Sequence, residues 1–366
     1  MNCYVLGLAL YPASRQAHAH RLEEMVYHTA HAALAHAGIH RRELDHVTLG
    51  ACDELDGRSI SSMLMAMPAG AYLVDEIKVT DSAASALCFE VARLKSEEFD
   101  MGLVASWCKS SKTDVESVMR FRGEPFYTRP LGLDMAMGDA LLAQAVAHRF
   151  GLNARQADER VVQAYARAQA NPRGLAHAVP SLAEVAASPY EATPLRALHR
   201  APLSDGAVCM VVASERWLER HPQHKPLARI AGVGWAADSY RLDRARLGDF
   251  NSARKAWSQA LHMAGLPDAQ GIDVMELETP TVYHEAAYEQ VLGLKASTRI
   301  SPSGGSFAQN PLFCTGLVGA AEAVLQVAGQ AGPVQVPGVR RAAAHSCHGY
   351  AQQGNVFMIF EGCAHA

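Results

Sequence analysis

The sequence lacks the features that mark nucleic-acid-binding, membrane-embedded or disulfide-stabilised proteins. Its eight cysteines are scattered without a CxxC pair, which favours reduced thiols over a disulfide framework or a zinc site. A net charge of -4 gives no reason to expect nucleic acid or an anionic membrane as partner. No apolar run approaches the length of a membrane span, and the first residues lack a secretory pattern. These absences predict a soluble, cytoplasmic protein that holds no metal.

Short apolar segments alternate with helical patterns over the first hundred residues. Strands are predicted near 4–8, 45–50, 76–80 and 101–105. Helices are predicted over 21–37, where Gly38 provides the stop, and from about Ser82 onward. Because 49% of the 366 residues are hydrophobic, the chain can bury a large core. Such alternation is typical of a layered α/β fold.

The alternation breaks between about 109 and 200 and then resumes. Helices are predicted around 139–150 and 154–170, in a region that we interpret as an inserted cover for a pocket. Strand patterns return at 207–212 and 228–234. We therefore divide the chain into an amino-terminal half, 1–222, which includes the inserted region, and a carboxy-terminal half, 223–366. We expect the halves to repeat one structure.

Several motifs follow one another in an order that resembles the thiolase superfamily over nearly the whole chain: 45–50, 202–207, 272–277, 303–305 and 347–349. The chain is similar to the sterol-carrier-protein-type branch and to the thiolase-like subunits of phloroglucinol acetyltransferase-type complexes. The resemblance implies an α/β thiolase fold, a five-layer αβαβα sandwich of two similar halves. It also implies a homodimer. Activity must be argued from the site, because one fold hosts many functions.

The nucleophile of the family is missing. The resemblance places a cysteine at the start of the helix after the third strand, where this chain offers Thr80 in one register and Ser82 in another. A thiol ionises readily at a helix amino terminus, whereas a hydroxyl needs a dedicated base. Cys88 lies further into the helix and is interpreted as a buried core thiol.

The base of the family is missing as well. The resemblance places a histidine after the Gly-Gly pair, directly before a proline, and this chain has Asn310 there. An asparagine amide forms hydrogen bonds but takes no proton at neutral pH. Ordinary thiolase activity is therefore not expected.

Other loops keep polar residues that suit acid/base chemistry. The family's oxyanion-hole residue after Leu277 falls on Glu278, and Tyr283 or His284 could replace it. The C-x-G motif, whose cysteine handles the α-carbon proton, is matched at Cys347. The candidate catalytic residues are Cys347, His348, His345, His284, Ser82, Asn310 and Tyr350, and the candidate binding loop is Ser303, Gly304 and Gly305.

Two classes of function follow from the resemblance. The first is an enzyme that makes or breaks a carbon–carbon bond in an acyl thioester without a cysteine nucleophile. It would be a C-acyltransferase, or a retro-aldolase with Tyr127, Tyr283 or Tyr350 as acid/base. The second is a catalytically silent subunit that supports an active partner.

The implied ligands and partners follow from the same resemblance. The substrate would be acyl-CoA or a carrier-bound thioester, with no bound cofactor. An additional subunit is expected, of the zinc-ribbon/OB-fold or ketosynthase-like type. No basic cluster marks a CoA site, and the possible phosphate contacts are Lys109, Lys112, Arg122 and Arg129.

Overall fold

The computed structural model describes residues 1–80 and 82–363, and its strands follow the predicted alternation. The strands expected from the sequence are confirmed to within a few residues. The described strands are β1 Cys3–Leu10, β2 His46–Gly50, β3 Asp75–Val79, β4 Met101–Cys108, β5 Tyr190–Ala192, β6 Leu195–Arg196, β7 Gly206–Ser214, β8 Ala228–Ala237, β9 Val274–Glu276, β10 Arg299–Ile300, β11 Arg341–His348 and β12 Gly354–Gly362.

The predicted helices are confirmed too. One begins earlier than expected, at Met135, because the Asp134 side chain caps it by accepting a hydrogen bond from the Met137 backbone. No described helix is long and apolar enough to cross a membrane. The described α-helices are α1 Leu22–Ala37, α2 Asp53–Asp56, α3 Ser62–Met65, α4 Ala83–Lys95, α5 Val115–Arg122, α6 Met135–Phe150, α7 Ala154–Ala170, α8 Leu182–Ala187, α9 Glu215–Arg220, α10 Arg244–Asp249, α11 Asn251–Met263, α12 Val282–Val291 and α13 Thr315–Val327.

Ten strands form one mixed sheet in the order β10-β9-β11-β12-β8-β1-β7-β4-β2-β3. The order is the same in each half when read from the outer edge inward. In the first half, β4 and β7 run antiparallel and β2 and β3 run parallel. In the second half, β11 and β12 run antiparallel and β9 and β10 run parallel. The halves join where β1 pairs antiparallel with β8.

The repeat extends to single side chains. The Asp45 carboxylate accepts hydrogen bonds from two backbone amides at the start of β4. The Asp273 carboxylate does the same at the start of β11. The central helices α4 and α13 each have 13 residues. Positions in one half therefore have defined equivalents in the other.

The elements stack as five layers, in which the strands of each half of the sheet form one β layer. Apolar residues of α4 and α13 form one buried cluster in the middle, against strands of both halves. Helix α1 covers the outer face of the first half, and α11 and α12 cover that of the second. The predicted five-layer αβαβα sandwich of two similar halves is thus confirmed.

The inserted region crosses onto the second half. Its helices α6 and α7 share a buried cluster with α11 and α12, because apolar residues such as Leu142 and Val161 face those helices. Side chains from the first half of the chain therefore reach the outer face of the second. The division at 222/223 stays a proposal, and its second part ends beyond the described residues.

Candidate active site

Three polar side chains from distant segments meet in the middle of the molecule. Glu278 follows β9, and its backbone N–H donates to the His345 carbonyl at 3.2 Å. Its carboxylate accepts a hydrogen bond from the Ser346 hydroxyl at 2.7 Å. The Ser346 oxygen lies 3.1 Å from the hydroxyl of Ser82, the residue that precedes α4. The result is a continuous buried chain of hydrogen bonds from a carboxyl group to the hydroxyl of Ser82, one of the two residues predicted for the position of the missing nucleophile.

The Glu278 carboxyl is suited to proton transfer at neutral pH. It is 9% exposed, and burial raises its pKa to about 7, although the Ser346 hydrogen bond opposes the rise. A group with its pKa near the operating pH can both take and release a proton. From the sequence, Glu278 was a departure from the oxyanion-hole residue that could donate a hydrogen bond only if it were buried and protonated. The structure shows the burial, which also raises its pKa toward neutrality.

Cys347 lies beside this carboxyl. Its thiol donates to the Glu278 backbone carbonyl at 3.7 Å. Burial raises the pKa of Cys347 well above its usual range, and the nearby Tyr288 hydroxyl only partly opposes that rise. The side chain is therefore a thiol at neutral pH and a poor base.

The two buried histidines of the site are neutral. Burial lowers the pKa of His284 to about 3 and that of His345 to about 4. His345 Nε2 lies 2.8 Å from Asn355 Oδ1, which also accepts the Tyr288 hydroxyl at 3.1 Å. Neither histidine is a strong base, so each is suited to hydrogen bonding in its neutral form.

One residue near these histidines was not found by sequence reasoning. Asp139 comes from α6 in the inserted region and lies 3.9 Å from His284 Nε2. Burial raises the pKa of Asp139 to about 6, and the Arg200 guanidinium opposes that rise. An acidic residue between apolar neighbours on a helix was the available signal, but nothing in the sequence places α6 against α12.

Asn310 is held by its own loops. Its side-chain amide donates to the Ala201 carbonyl at 3.4 Å, and its amide oxygen accepts the Thr315 hydroxyl at 3.0 Å. Its backbone N–H donates to the Ser204 hydroxyl at 3.0 Å. These bonds fix the loop before α13 and orient the Asn310 amide.

The Ser303 loop supports the site from below. The Ser303 hydroxyl donates to Glu276 at 2.6 Å, and burial raises the pKa of Glu276 to about 8. Gly304 has φ +88° and lies against α7, where a Cβ would come 2.4 Å from the Ala168 Cα. Ser303 and Gly305 line a cavity with Glu278 of only about 10 Å³, close to the smallest that holds one water.

Comparison with known proteins adds a partial sequence match. No family model matches the chain. It is 29% identical to sterol carrier protein 2 of Gallus gallus over 174 residues, 42% of this chain and 32% of that one. The Homo sapiens protein of the same name is 29% identical over 188 residues, 45% of this chain and 34% of that one. The match thus spans about a third of the length of these relatives.

The fold comparison covers the whole chain. The crystal structure of human mitochondrial 3-ketoacyl-CoA thiolase matches with a TM-score of 0.80 and 16% identity, over 99% of both chains. The chain has the thiolase fold. Together with the partial sequence match, this supports the thiolase superfamily, while the phloroglucinol acetyltransferase-type branch remains a proposal.

Within the thiolase fold, two candidate residues lie at the border of the buried cluster. Half-buried His348 ends β11 and packs on Gly354, where a Cβ would come 2.1 Å from its Nε2. Tyr350 is turned toward the inserted region, because its hydroxyl donates to the Met119 carbonyl at 2.8 Å. His348 is thus held by packing on β12, and Tyr350 by its hydrogen bond to the inserted region.

The alternative residues are placed elsewhere. Tyr127 is exposed and stacks on Tyr240 at 5.7 Å between ring centroids. Tyr283 packs edge-on against His199 at 5.5 Å. Thr80 is exposed. Of the two registers for the missing nucleophile, only Ser82 joins the hydrogen-bonded chain.

Two of the candidate phosphate contacts share a surface cavity. Lys109 and Lys112 line a surface cavity of about 390 Å³ with Arg21 and Arg58. Arg122 pairs with Glu54 at 2.9 Å. In the described part of the chain, no group of three or more histidine, cysteine or acidic side chains is arranged to hold a metal ion.

Proposed function

We propose that this chain is a thiolase-like subunit that acts on acyl thioesters in carbon–carbon bond formation or cleavage, within a multi-subunit complex and without the usual cysteine nucleophile. The observation that carries the proposal is the buried Glu278 carboxyl, whose pKa of about 7 suits proton transfer at neutral pH. Making or breaking a bond beside a thioester carbonyl requires the α-carbon proton to be removed or returned. A positioned group with a matched pKa contributes about 10²–10⁴-fold to such a step.

The other buried side chains take supporting roles. The Cys347 thiol and the Tyr288 hydroxyl become hydrogen-bond donors to a developing enolate oxygen when they release the Glu278 carbonyl and Asn355 Oδ1, to which they donate in the resting site. Neutral His284 acts in the same way from α12. The substrate is acyl-CoA or a carrier-bound thioester, and no bound cofactor is invoked. A C-acyltransferase uses these groups in the synthetic direction and a retro-aldolase in the lytic one.

Assembly and location are further parts of the proposal. Strand β3 is at one edge of the ten-stranded sheet, where it can pair with a second copy of the chain. Large apolar side chains near this edge are exposed, with Leu73 at 89% and Met63 at 77%. An additional subunit, of the zinc-ribbon/OB-fold or ketosynthase-like type, would complete the complex. The free thiols favour the cytoplasm.

One observation favours the second candidate, a catalytically silent subunit. The cavity that Glu278 lines is about 10 Å³, far smaller than an acyl thioester. A substrate would reach Glu278 only after the loops around it move or a partner opens them. In a silent subunit, the same buried cluster would serve stability alone.

A pair of matched substitutions separates the two candidates. Carbon–carbon bond formation or cleavage is measured with isotope-labelled acyl-CoA, with the chain alone and with its co-purified subunits. Glu278→Gln should slow turnover at least hundredfold. Glu90→Gln, the same change on α4 beside His46 and Thr48, should leave the rate unchanged. Equal rates for wild type and Glu278→Gln would favour the silent subunit.

A further inference from the structure

We propose that the Ser82 hydroxyl is the acyl acceptor of this site and that Glu278 is its base, acting through Ser346. This inference rests on the proposed function and names the covalent step within it. A hydroxyl at this position needs a dedicated base, and the Asn310 amide cannot be one. The base comes instead from the loop after β9.

The hydrogen bonds of the chain have a defined direction. Ser346 has one proton, and it is donated to the Glu278 carboxylate at 2.7 Å. The contact between Ser82 and Ser346 at 3.1 Å must then use the Ser82 proton. With Glu278 ionised, the chain therefore runs from Ser82 to Ser346 to Glu278, which is the direction of proton removal from Ser82.

Ser82 does not perform the structural role that its position suggests. Serines that precede helices usually accept a hydrogen bond from the first turn. Ser181 and Ser214 do so before α8 and α9. Ser82 precedes α4 but makes no such cap, and its hydroxyl bonds instead to Ser346, 264 residues away. Capping therefore does not account for a hydroxyl here.

The internal repeat places an equivalent arrangement in the other half of the sheet. That second arrangement lacks the base. By strand register, Ser106 on β4 is the equivalent of Ser346, and Gly50 is the equivalent of Glu278. Cys314 precedes α13 as Ser82 precedes α4, and it lies near Ser106. Residue 50 is a glycine, so Ser106 contacts the Cys314 thiol but has no equivalent of the Glu278 carboxyl group. The fold alone therefore does not require a carboxyl group as the hydrogen-bond partner of the serine on this strand.

Helix α13 leaves space for the hydrogen-bonded side chains of Ser346 and Glu278. Gly316 lies in the first turn of α13, where a Cβ would come 2.3 Å from the Ser346 Oγ and 3.1 Å from Glu278 Oε2. Atoms that close cannot coexist without displacement. The glycine thus permits the Ser346–Glu278 contact that the proposal needs.

The acylation step balances without another reactant. Ser82 Oγ forms a bond to the thioester carbonyl carbon, and the carbon–sulfur bond breaks. The Ser82 proton moves to Ser346, and the Ser346 proton moves to Glu278. The departing thiolate takes up the proton held by Glu278. The products are a Ser82 oxygen ester and a free thiol.

The test is direct acyl labelling. Full-length protein is incubated with acetyl-CoA, quenched in acid, and its peptides are mapped by mass spectrometry. We expect an acetyl group on Ser82 that survives neutral hydroxylamine, which removes thioesters. Ser82→Ala should abolish it, and Ser346→Ala and Glu278→Gln should slow its appearance at least hundredfold. Ser106→Ala, the matched serine of the other half, should label like wild type.

The outcomes distinguish this inference from the proposed function. Turnover of the thioester without an acetyl group on Ser82 overturns the inference and leaves the proposed function intact. An acetyl group on Cys347 or Cys88, or labelling that Glu278→Gln does not slow, also overturns it. If the wild-type protein shows neither labelling nor turnover, with or without its co-purified subunits, both the inference and the proposed function are overturned.

Discussion

The Ser346 hydroxyl donates a 2.7 Å hydrogen bond to the Glu278 carboxylate. This contact joins β11 to the loop after β9 and keeps an ionisable group in the buried centre of the fold. Because burial favours the protonated carboxyl while the hydrogen bond favours the ionised one, both forms are populated near neutral pH. A proton can therefore be exchanged here at little cost.

The buried carboxyl makes stability depend on pH. Burial raises the pKa of Glu278 from 4.5 to about 7, so the folded chain holds this proton where the unfolded chain releases it. The stabilisation that the carboxyl contributes is complete below about pH 4.5 and is lost as the pH rises to about 7. Relative to wild type, Glu278→Gln should gain about 3 kcal/mol in unfolding free energy over that interval. Denaturant titrations from about pH 4 to pH 8 measure the difference, and parallel curves would contradict the raised pKa.

The thiols should react very unequally. Seven of the eight cysteines are buried, and Cys363 is half-buried. Burial also raises the pKa of Cys347 well above its usual range, which suppresses its reactive thiolate. A thiol reagent at about pH 8 should therefore modify only Cys363 quickly in the native protein, and all eight cysteines in denaturant. Rapid modification of Cys347 would show that its surroundings are open to water.

Alanine substitutions at two glycines of α13, Gly316 and Gly319, test how closely that helix packs against the site. A Cβ at 316 would overlap Ser346, whereas a Cβ at 319 would lie 3.8 Å from the nearest side-chain atom, in ordinary contact. Gly319→Ala should gain up to about 1 kcal/mol from helix propensity. Gly316→Ala should lose about 1–3 kcal/mol from overpacking. Thermal unfolding of both variants tests the geometry, and equal shifts would show that Ser346 is not confined there.

The fold could be predicted from the sequence because its signals are local. The apolar run that forms β8 and the helical spacing that forms α1 each identify their element without tertiary information. The order of motifs then fixed the architecture. The strand register that makes Ser106 equivalent to Ser346 could not be read in advance, since it depends on pairing between distant segments.

The site was predicted only in part, for physical reasons. Ser82 and Cys347 were proposed because they occupy motif positions, and both lie in the hydrogen-bonded cluster that contains Glu278. Glu278 was recognised as unusual, but its role depends on burial, which raises its pKa. Asp139 was missed because helix α6 folds across onto the other half of the chain. Ser346 was missed because one serine in a buried strand carries no distinctive pattern.

The central claim is that Glu278 moves a proton at the α-carbon of an acyl thioester. The most direct measurement is deuterium incorporation from D₂O into the acyl chain of acetyl-, propionyl- and octanoyl-CoA, followed by mass spectrometry between about pH 5 and pH 9. The account predicts exchange that rises with pH and levels off above about 7, where the carboxyl is ionised, and that slows at least hundredfold in Glu278→Gln. Exchange that is absent from the wild type, or equally fast in Glu278→Gln, would contradict it.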